Sequence, residues 1–156
     1  MKFQLKSPCY LGSLVCESWL VFSNFKRWME AQDWEGKDLD KDIISPGNKL
    51  YSPENCRFIT NSLNKLLTNC AASRGKYPQG VHLRRDRGRF SADLSSNAGR
   101  IHIGYFSTPE LASAAYVKEK CALIRRVADE QSDAAIKNGL IMHADALALT
   151  ANWSEQ

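Results

Sequence analysis

The chain has 156 residues with 44% hydrophobic content, 21 lysines and arginines against 17 aspartates and glutamates, and three histidines. That length holds one domain or two small ones, and no run nears the roughly 20 apolar residues of a membrane span, so no membrane partner is expected. The opening Met1-Lys2-Phe3-Gln4-Leu5-Lys6-Ser7-Pro8 lacks the apolar centre of a secretory signal, which predicts a cytoplasmic protein.

In chain order, the first predicted element is a helix over residues 16–31. Phe22, Phe25, Trp28 and Met29 recur at three- and four-residue spacing, and Trp19 and Leu20 extend the stripe, which reads as core. Gly36 sits in a polar turn, and a short strand is expected over Leu39–Ile44, ended by Ser45-Pro46-Gly47-Asn48. Ser52-Pro53-Glu54-Asn55 makes a second turn, and Phe58 to Leu67 reads as a short strand-like stretch leading into a helix with Leu63, Leu66 and Leu67 on one side. Residues 69–78 have little periodicity and read as a linker. The expected organisation is therefore a first module over 1–70, a linker over 71–77, a second module over 78–128 and a helical tail over 129–156.

The second module has a period of two. Gly80–Arg85, Arg89–Ser95 and Arg100–Phe106 alternate apolar and polar residues, separated by hairpin turns at Asp86-Arg87-Gly88 and Ser96-Asn97-Ala98-Gly99. Val81 and Leu83 share one face, as do Phe90, Ala92 and Leu94, and then Ile101, Ile103 and Tyr105. A helix follows with Ser107 and Glu110 as a capping box, Pro109 in the first turn, and an inner stripe of Ala112, Ala115, Tyr116 and Leu123. The predicted fold class is α+β, with a three-stranded antiparallel sheet backed by one helix in this half. The tail is expected to add a helix around Ala134–Met142 and to fray after Ala148.

Charge is unevenly spread. Between Arg74 and Phe106, seven basic residues (Arg74, Lys76, Arg84, Arg85, Arg87, Arg89, Arg100) face two acids (Asp86, Asp93). A basic island on a near-neutral chain points to a polyanion partner, with a solvated basic surface as the plainer reading. Five cysteines (Cys9, Cys16, Cys56, Cys70, Cys121) form no CxxC pair. Free buried thiols are expected, with a zinc site from Cys9, Cys16, Cys56 and Cys70 as an alternative.

Two resemblances follow. Val15-Cys16-Glu17-Ser18-Trp19 through Trp28-Met29, Leu39-Asp40-Lys41-Asp42 and Tyr51-Ser52-Pro53-Glu54-Asn55-Cys56-Arg57-Phe58 resemble the HNH endonuclease-like proteins of phages, which include free-standing homing-type nucleases. This covers about residues 7–67 and implies a small ββα-metal module. Residues 78–128 resemble the AP2/integrase-like DNA-binding domain, through Gly80-Val81, Gly88-Arg89-Phe90-Ser91-Ala92, Ile103-Gly104-Tyr105-Phe106 and Thr108-Pro109-Glu110 leading to Ala114-Ala115-Tyr116.

The first resemblance implies metal-assisted phosphodiester hydrolysis, with Asp40 and Asn64 as ligands to Mg²⁺ or Mn²⁺, hard cations that suit oxygen donors. Asn55 would brace the loop and Lys41 would occupy the position of the general-base histidine. An ammonium has no lone pair to accept a proton, and the histidines His82, His102 and His143 all lie outside this half. Lys41 then either holds the scissile phosphate or marks a catalytically weak DNA-binding relic of a nuclease. The second resemblance implies double-stranded DNA as partner, read by the outward sheet face. Alternation places His82, Arg84, Ser91, Asp93, Ser95, Arg100 and His102 on that face, with Arg85, Arg87 and Arg89 beside it. A zinc-stabilised interaction module is the third reading. None implies an oligomeric state.

Overall fold

The computed structural model describes residues 12–68 and 75–151, an α+β arrangement of four α-helices and small sheets. The chain divides into two units, Met1–Asn61 and Ser62–Gln156. Cys9, Cys70 and Arg74, together with residues 69–74 of the expected linker, lie outside the described residues.

In the first unit, β1 (Leu14–Val15) pairs in parallel with β3 (Leu50–Tyr51), and β2 (Asp38–Asp40) pairs antiparallel with β4 (Arg57–Ile59). The helix expected over 16–31 is a 3₁₀ turn at Glu17–Leu20 followed by α1 (Phe22–Glu30). Val21, extended at φ −92° and ψ 107°, breaks the two apart. The aromatic stripe is core at its inner end. Trp19 packs edge-on against Phe25 at 5.1 Å between ring centroids and on Trp28 at 4.6 Å, and Trp28 stacks on Phe58 at 5.6 Å. Phe22 departs from the expectation, being 70% exposed at the first turn of α1. Ile43, Cys56 and Ile59 join Trp19 as the buried hydrophobic residues among those described in this unit.

The strand expected over Leu39–Ile44 ends at Asp40, because the Asp40 carboxylate captures the next backbone donors. Its Oδ1 accepts from the N–H of Asp42 at 2.8 Å and of Ile43 at 2.6 Å, a side-chain-capped turn that competes with a strand ladder. The helix expected before Leu67 is α2 (Asn61–Leu67).

In the second unit, β5 (Val81–Arg84), β6 (Arg89–Ser96) and β7 (Gly99–Phe106) form an antiparallel sheet in sequence order. The register runs His82↔Ser91 and Arg84↔Arg89 on one side of β6, then Ser91↔Tyr105, Asp93↔His102 and Ser95↔Arg100 on the other. Between Ala92 and Asp93 the pairing slips by one residue on β7. That irregularity reverses the facing of the β7 residues on either side of it. Tyr105 consequently leaves the apolar face it was expected to share with Ile101 and joins the face of His102 and Arg100.

α3 (Pro109–Asp129) packs against all three strands and against α4 (Ala134–Ala151). Its cap is Thr108 rather than Ser107. The Thr108 hydroxyl accepts from Leu111 N–H at 3.3 Å, and Pro109 then fills a first-turn position whose N–H needs no partner. α4 is longer than expected. Asp133 caps it through Oδ1 to the N–H groups of Ala135 (2.7 Å) and Ile136 (3.3 Å), and the buried stripe Ile136, Leu140 and Ala144 carries on beyond Met142. Val117, Cys121, Ile124 and Ala128 are buried along α3, and the Cys121 thiol donates to the Ala144 carbonyl at 3.3 Å. Burying side chains the size of Ile136 and Leu140 stabilises this hairpin by roughly 1.5–3 kcal/mol each.

Candidate nucleic-acid interface

One face of the β5–β7 sheet gathers the chain's polar and basic residues. Alternation and register place His82 and Arg84 on β5, Arg89, Ser91, Asp93 and Ser95 on β6, and Arg100, His102 and Tyr105 on β7. The β5–β6 hairpin turns at Gly88, which has φ +59° as such a turn requires, and Arg84, Arg85, Arg87 and Arg89 are all exposed around it. Four guanidinium groups within six residues make a dense positive rim.

Asp93 behaves differently from the contact residue it was expected to be. It is 8% exposed, and both its oxygens are engaged: Oδ2 accepts from Ser91 Oγ at 3.1 Å and from Arg100 Nη2 at 3.0 Å, while Oδ1 meets His102 Nδ1 at 2.9 Å. Burial pushes its carboxyl upward, but hydrogen bonds from His102, Ser91 and Arg100 outweigh it and hold the carboxyl below the ordinary range. Asp93 thus orients Arg100 and His102, whose side chains stay 60% and 44% exposed.

Tyr105 is the residue that alternation alone misplaced. Its ring lies 4.6 Å from the His102 ring, and the Arg87 guanidinium sits 4.7 Å over it. Its exposure is 36%. The row Arg87, Tyr105, His102, Asp93, Arg100 therefore links the hairpin tip to the far edge of β7. The sequence signal for it is Gly104, where a strand glycine accompanies the slipped register. Such a face offers charge-assisted donors for phosphate, guanidinium groups for base edges and an aromatic surface for stacking.

The nuclease-like residues fall in both units. Asp40 ends β2, with Oδ1 committed to its turn. Lys41, expected at a catalytic position, is 8% exposed, with Nζ 2.7 Å from Asp42 Oδ2 and 5.7 Å from the Tyr51 ring centroid. Asn48 stitches the loop by bonding both polar groups of Leu50, donating to its carbonyl at 2.8 Å and accepting from its N–H at 3.0 Å. Asn55 Nδ2 donates to Leu50 O at 3.4 Å. Burial pushes the Cys56 thiol up to about 11, with the Asp40 carboxylate adding to the rise. Asn64 stands in α2 and accepts from Thr68 through its carbonyl. Among the described residues, no three of His, Cys, Asp and Glu come together as a metal-holding group, and no helix is long and apolar enough to cross a membrane. Oxygen donors from Asp40 and Asn64 belong to the class Mg²⁺ takes. Asp40 nevertheless arrives with one oxygen already accepting two main-chain hydrogen bonds, followed at once by a buried ammonium.

No family model, no curated protein and no solved structure matches the chain.

Proposed function

We propose that this chain binds double-stranded DNA through the β5–β7 face, and that its nuclease-like half is non-catalytic. The observation that carries the reading is the Asp93-centred row. A buried carboxylate holds Arg100 and His102 in fixed, outward positions, next to an exposed tyrosine and a four-arginine hairpin. Pre-oriented guanidinium and imidazole groups on a sheet suit a groove-reading surface better than a merely solvated one, where long basic side chains have no reason to be tethered. The non-catalytic reading rests on Lys41, which is buried in an ion pair with Asp42 at the position where the resembling nucleases carry their proton acceptor.

The test is titration of fluorescent duplex DNA over a salt series, with Arg84→Ala, Arg87→Ala and Arg100→Ala beside the wild type. Each variant should weaken binding and flatten the slope of log K against log salt by about 1 for every phosphate contact removed. Unchanged affinity in all three would sink the interface. Nicking of plasmid by the wild type in Mg²⁺ or Mn²⁺, lost in Asp40→Ala, would replace the non-catalytic reading with a metal-dependent nuclease.

A further inference from the structure

The two ring nitrogens of His102 have different surroundings. Nδ1 lies 2.9 Å from Asp93 Oδ1, while Nε2 makes no hydrogen bond among the described residues. The imidazole is 44% exposed and its carboxylate partner 5%, so the ring reaches from a buried acid to solvent. An ionised carboxylate only accepts hydrogen bonds, and Nδ1 must therefore carry a proton whenever Asp93 is charged. Asp93 is charged throughout the neutral range, because its hydrogen bonds hold the carboxyl below the ordinary value. That settles the tautomer. In the neutral ring Nε2 is a lone-pair acceptor, and in the imidazolium it is a donor.

This reversal matters on a face that meets DNA. Phosphate oxygens and the N7 and O6 atoms of guanine are all acceptors. A neutral His102 meets them lone pair to lone pair, whereas a protonated one gives them a charge-assisted hydrogen bond. Turning the ring over would give up the Asp93 contact, and the Tyr105 ring lies 4.6 Å away on its own strand.

Few neighbours can imitate the response. The same face carries Arg89 and Asp93 on β6, Arg100 and Tyr105 on β7, and His82 and Arg84 on β5. Arg87 of the hairpin lies over Tyr105, and Lys120 of α3 lines a cavity together with Asp93, Arg100 and His82. Among these side-chain types only imidazole changes charge between about pH 5.5 and 8.5 at its ordinary value, which leaves His82 as the group to control for.

We infer that His102 is a proton-gated contact: Nε2 engages an acceptor atom of the duplex only when the ring is protonated, so the β5–β7 face binds DNA more tightly as pH falls. The acceptor is either a backbone phosphate oxygen or a base edge. This rests on the duplex-binding reading.

The experiment titrates the full chain with one fluorescent duplex from about pH 5.5 to 8.5 over a salt series, as wild type, His102→Asn, His102→Gln and His82→Gln. Wild-type affinity should rise about tenfold from the alkaline to the acid end, the worth of one charge-assisted hydrogen bond. His102→Asn keeps an amide that can donate to Asp93 but has no proton to gain, so its affinity should stay at the wild type's alkaline level at every pH. His102→Gln should also be independent of pH and decides the matter if His102→Asn does not fold. His82→Gln should keep the rise, whatever its absolute affinity. A salt slope steeper by about 1 at the acid end identifies a phosphate oxygen, and a rise in affinity with an unchanged slope identifies a base edge. Wild-type binding that does not change with pH overturns the inference and leaves the binding face standing. A rise that survives in both His102 variants, or vanishes in His82→Gln, overturns it as well. A wild type that binds no duplex at either end removes the duplex reading and this inference together.

Discussion

Asp93 and His102 face each other across β6 and β7, with Nδ1 2.9 Å from Oδ1, and the same carboxylate holds Arg100 at 3.0 Å. This places an acid at the centre of a basic face, where it lowers the net charge available to a polyanion. Its compensation is geometric, since it removes rotamer freedom from two groups that reach outward. Preorganisation of this kind reduces the ordering cost paid on binding.

The Asp93 carboxyl is held below its ordinary value, so the sign of its linkage is set. Its contribution to stability is fully present above the unfolded pKa of about 3.9 and is lost as pH falls through the lower folded value. Asp93→Asn should therefore destabilise the fold by about 1–3 kcal/mol at neutral pH. The lower end is favoured because Arg100 and His102 are largely solvated and screened. The variant should also show a shallower loss of stability below pH 4 than the wild type. Urea unfolding at pH 7 and at pH 3 measures both, and equal pH dependence in the two proteins would remove Asp93 from the account.

Tyr105 gives a second test. Its ring lies between Arg87 and His102, so Tyr105→Ala should release both and weaken duplex binding by about tenfold, while Tyr105→Phe, which keeps the ring, should bind within about twofold of wild type. Fluorescence anisotropy with one duplex at fixed salt separates these outcomes. A Phe variant as weak as the Ala variant would mean that the hydroxyl, not the ring, matters.

Much of the second unit was legible in its residues. Period-two alternation located all three strands, because a half-buried sheet forces that pattern on the side chains. The slipped register was not legible from the alternation, with Gly104 its one mark in the sequence, because it is a backbone event at Ile103-Gly104 that leaves the hydrophobic pattern apparently intact while turning Tyr105 over. The length of α4 was hidden for a different reason. Beyond Met142 most of its apolar residues are alanines, whose burial depends on how closely α3 approaches. In the first unit the direction of Lys41 was not legible, since Asp40 and Asp42 were both plausible partners and only the turn decides between them.

Gly80 should be among the least replaceable residues of the sheet unit. A methyl group there would stand 2.2 Å from the Tyr116 ring and 2.7 Å from a backbone carbonyl, at a φ of +75° that L-residues rarely adopt. The ring could swing away, but the carbonyl belongs to the central strand and cannot. Gly80→Ala is expected to lower stability by about 2–4 kcal/mol, combining overpacking with backbone strain. Gly88→Ala, at φ +59° with open space around it, should cost only about 1 kcal/mol. Thermal melts of the two variants compare them directly, and equal costs would show that conformation alone, not the close approach, sets the requirement at Gly80.

Lys41 separates a structural pair from a catalytic group. The ammonium lies 2.7 Å from Asp42 Oδ2, with the lysine side chain 10% exposed and the aspartate 45% exposed. Removing one partner of a fully buried pair usually costs several kcal/mol, because the other charge is stranded. Here Asp42 can rehydrate, and methionine fills most of the volume that the lysine stem occupies. Lys41→Met should consequently change stability by no more than about 1 kcal/mol, whereas Lys41→Ala, which empties the space, should cost about 2 kcal/mol or more. Duplex affinity should stay within about twofold in both, since the interface is assigned to the β5–β7 sheet. Lys41→His supplies an imidazole, and under the proposed non-catalytic reading it should create no plasmid nicking in Mg²⁺ or Mn²⁺. Cleavage appearing in Lys41→His and vanishing when Asp40→Ala is added would show that Asp40 can still hold a metal. The first unit would then be a nuclease lacking only its base.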